Sequence, residues 1–411
     1  MRRGTNLPRV AGFNQTVILD VVRRADAGLS RAQLARRTGL SAQTVTNATR
    51  RLLEQGLVRE EGESSRPGPG RPGTLLHLDP SARYAIGVHL DPAVMTFVIL
   101  DLAGTPVAQS QMPTPVPEQP DQVVAGIVGA IEDLIASTEI DRSLLLGVGI
   151  AAPGPIDIDR GVVLDPPHLP GWHGVPLRDD VATGTGLAVL LDKDTIAAAS
   201  AHLWNPGVHR STEFAFFYLG TGVALSLVIR DEVVRGVSGN AGESGHFVVD
   251  PTGPDCECGK RGCLGAVLRA EILVQQGLAA GVELPEPGDM SDPRNVDVAF
   301  SALCAAADEG DERAVAVLEL AGRRLGMAST VITDLCDLDT VIVGGPLWSR
   351  MERHAMPGMS KLVSEHHVPS GAHSVAVLGS PLGTQVGAVG AGCLVLSQAF
   401  TPRPSDLMLL A

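Results

Sequence analysis

The sequence predicts an α/β protein: a small basic head of winged helix-turn-helix type on a large acidic body. Three observations lead there. Residues 1–75 hold 13 arginines, no lysine and 6 acidic residues, a net +7 within a 411-residue chain of net charge −14, so the remainder carries −21. The segment from Asn14 to Val58 reads as three helices, with two helix-starting serines around a glycine turn. From about residue 82, short apolar runs alternate with helical stretches, the pattern of strands and helices in an α/β body.

The length suits two or three domains. An apolar content of 44% supplies real cores and excludes a wholly disordered chain. No run approaches 18 uninterrupted apolar residues, which excludes a transmembrane helix. Met1-Arg2-Arg3-Gly4 carries charge with no apolar segment behind it, so no secretory signal is expected. Six cysteines in so long a chain fit a reducing, cytoplasmic compartment rather than a disulfide scaffold. Aromatics at 3% argue against base-stacking platforms. A basic head on an acidic body places any nucleic-acid contact on the head.

In the head, Val17, Ile18, Val21 and Val22 recur at helical spacing, and Gly28 is expected to end that helix. Ser30 with Gln33 forms a capping box for a second helix, with Leu34 and Ala35 inward. Thr38-Gly39-Leu40 is the turn. Ser41 caps a third helix reaching about Gln55, and Gly56 ends it. On that helix Val45, Ala48 and Leu52 share the packing face. Gln43, Thr44, Asn47 and Arg50 are the expected DNA-reading residues, because amide and guanidinium groups match base edges in the major groove. A strand at Thr74–Leu78 follows a loop holding Arg66 and Arg71 between prolines and glycines. Such a loop is a wing whose arginines enter a minor groove, or else a plain linker.

In the body, expected strands are Tyr84–Leu90, Thr96–Asp101, Leu144–Ala151, Ala188–Asp192, Phe214–Leu219, Ala224–Arg230 and Thr340–Val343. Expected helices are Gln122–Ser137, Thr195–Leu203 and Arg313–Cys336. His246, Cys256, Cys258 and Cys263 form a Cys₃His set that matches a closed, tetrahedral structural zinc site. Glu243, three residues before that histidine, sits among glycines where a carboxylate can bind sugar hydroxyls. Asp194 stands at a strand-to-helix turn, either as base or acceptor for a hydroxyl, or as a helix N-cap.

These residues resemble the ROK family (repressors, open reading frames and sugar kinases), and within it the repressor branch. The resemblance rests on Leu29–Ala35 and Gly39-Leu40-Ser41 in the head. In the body it rests on Pro170-Gly171-Trp172, Gly242-Glu243-Ser244-Gly245-His246 and Cys256-Glu257-Cys258-Gly259-Lys260-Arg261-Gly262-Cys263. It implies a two-lobed actin-like, ribonuclease-H-like sugar-kinase fold with sugar in the cleft. On that basis residues 1–80 form the winged helix-turn-helix domain and 81–195 the first lobe, rejoined by a helix at about 385–400. Residues 196–384 form the second lobe with the zinc loop. The resemblance also implies a homodimer or homotetramer; the lack of a long apolar run leaves no membrane partner expected.

The departures separate repressor from kinase. The resemblance places an acidic residue and a Gly-Gly-Thr turn where this chain has His89 and Asp91-Pro92-Ala93. Pro92 has no N–H to offer phosphate, and Asp91 would repel it. Glu243, His246 and Asp194 match sugar-contacting positions, Asp194 also matching the kinase base. Lys193 and His168 stand where asparagines are usual, which suggests a sugar phosphate or acidic sugar. Alternatively Lys193 pairs with Asp192 or Asp194 and the pocket has drifted. The expected function is a sugar-responsive DNA-binding regulator of carbohydrate-metabolism genes, non-catalytic, acting as a repressor on a double-stranded operator. The alternatives are an ATP-dependent sugar kinase with a DNA-binding head and a ligand-independent DNA-binding regulator.

Overall fold

The computed structural model describes residues 2–3, 7–25, 27–63, 73–115, 119–166, 169, 171–205, 211–285, 288–290, 292–368, 371–402 and 409–410. In the head, β1 (Arg2–Arg3) precedes α1 (Leu7–Arg23), β2 (Leu29–Ser30), α2 (Arg31–Thr38), α3 (Ala42–Glu54), β3 (Val58–Glu63) and β4 (Thr74–Leu78). Both caps are present. Ser30 and Gln33 make the reciprocal capping box, and the Ser41 hydroxyl accepts the Thr44 N–H. Gly39 closes α2 in the left-handed region at φ 70°, a conformation with a steric penalty for other residues. Ile18, Leu19 and Val22 of α1 pack with Leu34, Val45, Ala48 and Leu52. Strands order as β2-β4-β3, and β3 with β4 forms the antiparallel ladder of the wing. The wing loop, with Arg66 and Arg71, lies outside the described residues.

Two expectations need correction here. The first helix begins at Leu7, well before Asn14, and ends at Arg23, not Gly28. The chain must leave the helix early so that Leu29 and Ser30 can pair with Leu76 and Leu75. Gly28 instead packs under the His77 ring, where a Cβ would lie 2.4 Å from Nε2.

The body contains two five-stranded sheets. The first comprises β5 (Tyr84–His89), β6 (Val94–Asp101), β7 (Pro106–Pro113), β8 (Leu145–Ala152) and, after the short pair β9 (Ile156–Asp157) and β10 (Val162–Val163), β11 (Val189–Lys193). Its helices are α4 (Pro120–Ala136) and α5 (Leu177–Thr185). After α6 (Asp194–Trp204), the second sheet comprises β12 (Phe214–Leu219), β13 (Val223–Ile229), β14 (Glu232–Val233), β15 (Thr340–Gly344) and β16 (Ala376–Gly379). Its helices are α7 (Leu264–Val267), α8 (Ala270–Ala279), α9 (Pro293–Asp308), α10 (Glu312–Cys336) and α11 (Pro346–His366). The chain returns to the first sheet with α12 (Val386–Phe400), and β17 (Leu409–Leu410) pairs with β1.

The orders are β7-β6-β5-β8-β11 and β14-β13-β12-β15-β16. Each sheet is an antiparallel meander of three strands followed by two parallel strands. Parallel strands are buried on both faces and therefore read as unbroken apolar runs, as in Phe214–Leu219 and Thr340–Gly344. Helices α6 and α12 pack against each other, α12 lying on β5 and β8 and α6 also touching β12 and β13. Among the described residues no helix is long and apolar enough to cross a membrane.

The seat of α12 depends on the absence of side chains. A Cβ on Gly149 of β8 would fall 1.8 Å from the Ala391 carbonyl oxygen, and one on Gly390 would fall 1.9 Å from that of Ala197. Gly149→Ala is therefore expected to lower unfolding free energy by about 1–3 kcal/mol, the usual range for overpacking, or more. Denaturant melts check this; an unchanged midpoint would mean α12 does not sit there.

Candidate functional site

Three sites emerge, and the first is the exposed face of α3. Gln43, Asn47 and Arg50 are exposed, opposite the buried Val45, Ala48, Thr49 and Leu52. Gln43 Nε2 donates to Asn47 Oδ1 at 3.2 Å, and Arg50 lies 3.9 Å from Glu54. Thr44 is half-buried, its hydroxyl 2.9 Å from that of Ser41. These are weak surface contacts that a base edge could displace. The wing arginines expected to join this face lie outside the described residues.

The second site is a four-donor cluster. The ligand atoms of His246, Cys256, Cys258 and Cys263 all lie within 4.8 Å of one another. Cys256 Sγ is 3.5 Å from His246 Nδ1, and Cys258 Sγ is 3.6 Å from Cys263 Sγ. The cysteines are free. A tetrahedral ion with bonds of about 2.3 Å to sulfur and 2.0–2.1 Å to nitrogen has edges of roughly 3.4–3.8 Å, so the residues fit a metal ion. The loop is held by bridges between Val248 and Cys263 and between Asp255 and Arg261. Arg324 of α10 anchors it through Asp250 at 2.6 Å. The Thr252 hydroxyl and then Arg324 hold the Asp250 carboxyl below its ordinary value.

The third site is the cleft between the sheets. Lys193, the N-cap of α6, is almost fully buried, and its ammonium donates to Glu243 Oε1 at 2.6 Å. The expected alternative partners, Asp192 and Asp194, are not the ones that bond it. Asp192 accepts the Lys193 backbone N–H and pairs with Arg235. Asp194 is not the N-cap either; it is the first residue of α6, and its carboxylate accepts the Thr195 N–H at 2.7 Å. The helix starts one residue earlier than a capping aspartate requires, directly after Lys193, which still pairs as a strand residue with Ala152. Burial raises Asp194 above its ordinary value, although His89 and Lys193 nearby pull the other way. Burial likewise raises Asp192 against the pull of Arg235. His168 lies outside the described residues.

In the turn after β5, Asp91 accepts the Ala93 N–H at 2.9 Å and Thr114 donates to the Asp91 carbonyl at 2.6 Å. The Ala93 N–H is therefore already engaged. His89 is buried, with Nε2 3.2 Å from the Tyr218 hydroxyl. Burial first, and then Asp194 and Asp91, push Tyr218 well above its ordinary value, so the phenol keeps its proton. Sequence reasoning missed Tyr218, hidden in the apolar run Phe214–Leu219. It also missed Asn240, whose side chain makes both bonds, at 2.9 Å each, to the backbone of Ile156 in the other half. Asn240 stands in the same glycine-rich stretch as Glu243, and that adjacency was the available signal.

The capped third helix, the wing and the paired sheets flanking a charged cleft define a winged helix-turn-helix protein with an actin-like, sugar-kinase-type body. The chain belongs to the ROK family, whose sequence profile matches residues 85–398; residues 7–67 match the MarR family. It is 25% identical over 370 residues to the N-acetylglucosamine repressor of Escherichia coli, covering 89% of this chain and 88% of that protein. It is 27% identical over 320 residues to a glucokinase of Halalkalibacterium halodurans, covering 77% of this chain and 96% of that one. Only 331 residues follow residue 80, so the repressor match runs into the head. In structure it resembles a ROK family transcriptional regulator, a homologue of the E. coli MLC protein, with TM-score 0.75 and 23% identity, covering 96% of this chain and 97% of that one.

Lys193 faces three carboxylates, of which Asp192 and Asp194 are raised by burial above an ordinary value of 3.8. A raised carboxyl adds stability while protonated and loses it as pH rises through its folded value. Removing the cation should raise both further. Lys193→Met is therefore expected to lower the melting temperature at pH 7–8, with the loss shrinking as pH falls and the carboxyls take up protons. Glu243→Gln should be milder, since Glu243 is 63% exposed and Lys193 keeps the two aspartates. Melts across pH test the order; a pH-independent loss contradicts it.

Proposed function

We propose that this protein is a sugar-responsive transcriptional repressor of carbohydrate-metabolism genes, acting on a double-stranded DNA operator in the cytoplasm. The exposed Gln43–Asn47–Arg50 face of α3 carries the reading. Those residues, with Thr44, read the major groove, and Arg66 and Arg71 of the wing enter the minor groove. The match to a repressor that extends into the head supports it. Two heads reading two half-sites require an oligomer, here a homodimer or homotetramer. Met327, Val331 and Leu335 leave an exposed apolar stripe along α10 that supports self-association. Residues 1–80 form the DNA-binding domain. Residues 81–195, with the C-terminal helix at about 385–400, form the first lobe. Residues 196–384 form the second lobe.

The effector sits in the cleft against Glu243, His246, Asp194 and Lys193, and His168 is the further residue that the sequence assigns to it. The buried ammonium of Lys193 favours an anionic effector, a sugar phosphate or acidic sugar, which can share it with Glu243. The chain acts without phosphoryl transfer. Asp91 engages the Ala93 N–H, and Pro92 has none to give. A sugar-dependent ATPase would overturn this point. The effector biases the spacing of the heads, a coupling worth roughly 5–150-fold in DNA affinity.

Fluorescence anisotropy of DNA from upstream of its own gene, at fixed salt, tests the reading. The probes are glucose, N-acetylglucosamine, their 6-phosphates, xylose and glucuronate. At least one anionic member is expected to change affinity severalfold. DNA binding that no member alters favours the ligand-independent alternative. Asn47→Ala or Arg50→Ala is expected to weaken operator binding by about 1–3 kcal/mol each, the worth of one base-edge contact. Unchanged affinity in both would remove α3 from the interface.

We further assign zinc to the four-donor cluster, since three thiolates and an imidazole suit it. The ion would be structural: four protein donors close its shell, and it ties the turn bearing Glu243 to the second half. Elemental analysis of the purified protein is expected to give one zinc per chain, and none in Cys258→Ser. If that variant folds without zinc and keeps the full effector response, the supporting role is wrong.

A further inference from the structure

The end of α1 touches both halves of the body through two consecutive arginines. Arg23, its last residue, is buried; its guanidinium lies over the Trp204 ring, with Cζ 4.0 Å from the centroid. It also donates to the Trp204 carbonyl and is held in place by Asp20. Trp204 is the last residue of α6, so this carbonyl is one of the acceptors that a helix end leaves unpaired. Both helices present their negative dipole ends here, and Arg23 supplies the cation between them. Arg24 reaches the other way, to Asp231 at 3.4 Å. Asp231 stands at φ 61° in the turn between β13 and β14.

The opposite end of α6 is the cleft. Lys193 caps the helix, and Asp194 is its first residue. Eleven residues rise about 16 Å, so one helix spans from the Glu243 contact to the head. It has little room to bend: Thr195 to His202 are all buried, and the Ala197 backbone abuts Gly390 of α12. Trp204 is fixed further by its indole N–H on the Leu102 carbonyl, 3.3 Å. On the head side, Ile18, Leu19 and Val22 of α1 share one core cluster with Val45 and Leu52 of α3 and with Trp204.

We propose that α6 is the mechanical link between the cleft and the DNA-reading helix, and that Arg23 on Trp204 is its coupling joint. Arg24 on Asp231 gives α1 a second footing on the other sheet. A change at Lys193–Glu243 moves α6 and the β13–β14 turn relative to each other, and α1 re-aims α3. Arg23 and Trp204 act as positioning residues, distant from both ligands. The proposal rests on the sensor reading above for its purpose, though not for its mechanics.

Hydrogen exchange on the full-length protein, without DNA or sugar, tests the link. Glu243→Gln breaks the cleft pair. It is expected to change amide exchange severalfold at the C-terminal turn of α1 and along α3. The same substitution in an Arg23→Lys or Trp204→Phe background is expected to leave those head amides unchanged. Arg23→Lys keeps the charge and Trp204→Phe keeps an aromatic ring, so folding should survive; Trp204→Phe also serves where Arg23→Lys does not. A head that never responds to Glu243→Gln overturns the proposal, as does a response of equal size in both backgrounds. The sugar-dependent anisotropy judges the sensor reading separately. Sugar regulation without the exchange signature removes α6 as the link, and the signature without any sugar effect removes the sensor reading alone.

Discussion

The backbone of α12 lies against that of α6 and against β8 with no side chain between, and the two halves of the body are organised around that contact. Close approach of this kind needs glycine on one partner at each crossing. Gly149 and Gly390 provide it beside Ala391 and Ala197. The consequence is positional. The start of α6 is held at the mouth of the cleft and its end is held under the head, with neither end free to drift. A looser helix pair would leave α6 intact but with its two ends in no fixed relation to the sheets.

The charge arrangement in the cleft follows from that placement. A buried ammonium is costly unless a carboxylate meets it. Here three carboxylates converge, two raised by burial and one largely exposed. The exposed one, Glu243, is the one that bonds. It is therefore the partner that solvent or a ligand can reach, while Asp192 is already engaged by Arg235 and by backbone. Glu243 also comes from the other half of the body, so the pair closes the cleft. Asn240, two bonds to Ile156, fixes the same stretch of loop to the first sheet. The cleft is held by one rigid clip and one exchangeable ion pair, a few residues apart.

How much was legible in the sequence depended on the distance over which each signal acts. The head could be read because caps and left-handed glycines are local. Ser30 with Gln33, Ser41 and Gly39 each decide a boundary within four residues. The first helix was misplaced at both ends because tertiary pairing of Leu29 with Leu76 sets its exit. The grouping of the four donors could be read because thiolates at short spacing have few other uses. The shared topology of the two sheets could not, since the same strand order is built from unrelated apolar runs. Lys193 with Glu243 and Arg23 with Trp204 are separated by 50 and 181 residues. No periodicity records such pairs, and only the packing of α6 brings them into register.

Placing a cation where a neutral hydrogen-bonding side chain would suffice changes what the cleft can distinguish. A neutral sugar entering beside Lys193 meets an ion pair that is already satisfied, and it must offer hydroxyls good enough to replace a 2.6 Å charge-assisted bond. An anionic sugar can take over the ammonium and release Glu243, which loses little because it is already exposed to water. The released carboxylate is then free to accept hydroxyls of the same ligand. That exchange keeps the number of charges on Lys193 constant while moving the partner from the second half of the body to the ligand. On the proposed reading the cleft pair would thereby change from a tie between halves into a contact with the effector. In the proposed sensor the same step that selects for negative charge would also loosen or reset the halves, the motion that α6 is proposed to carry to the head.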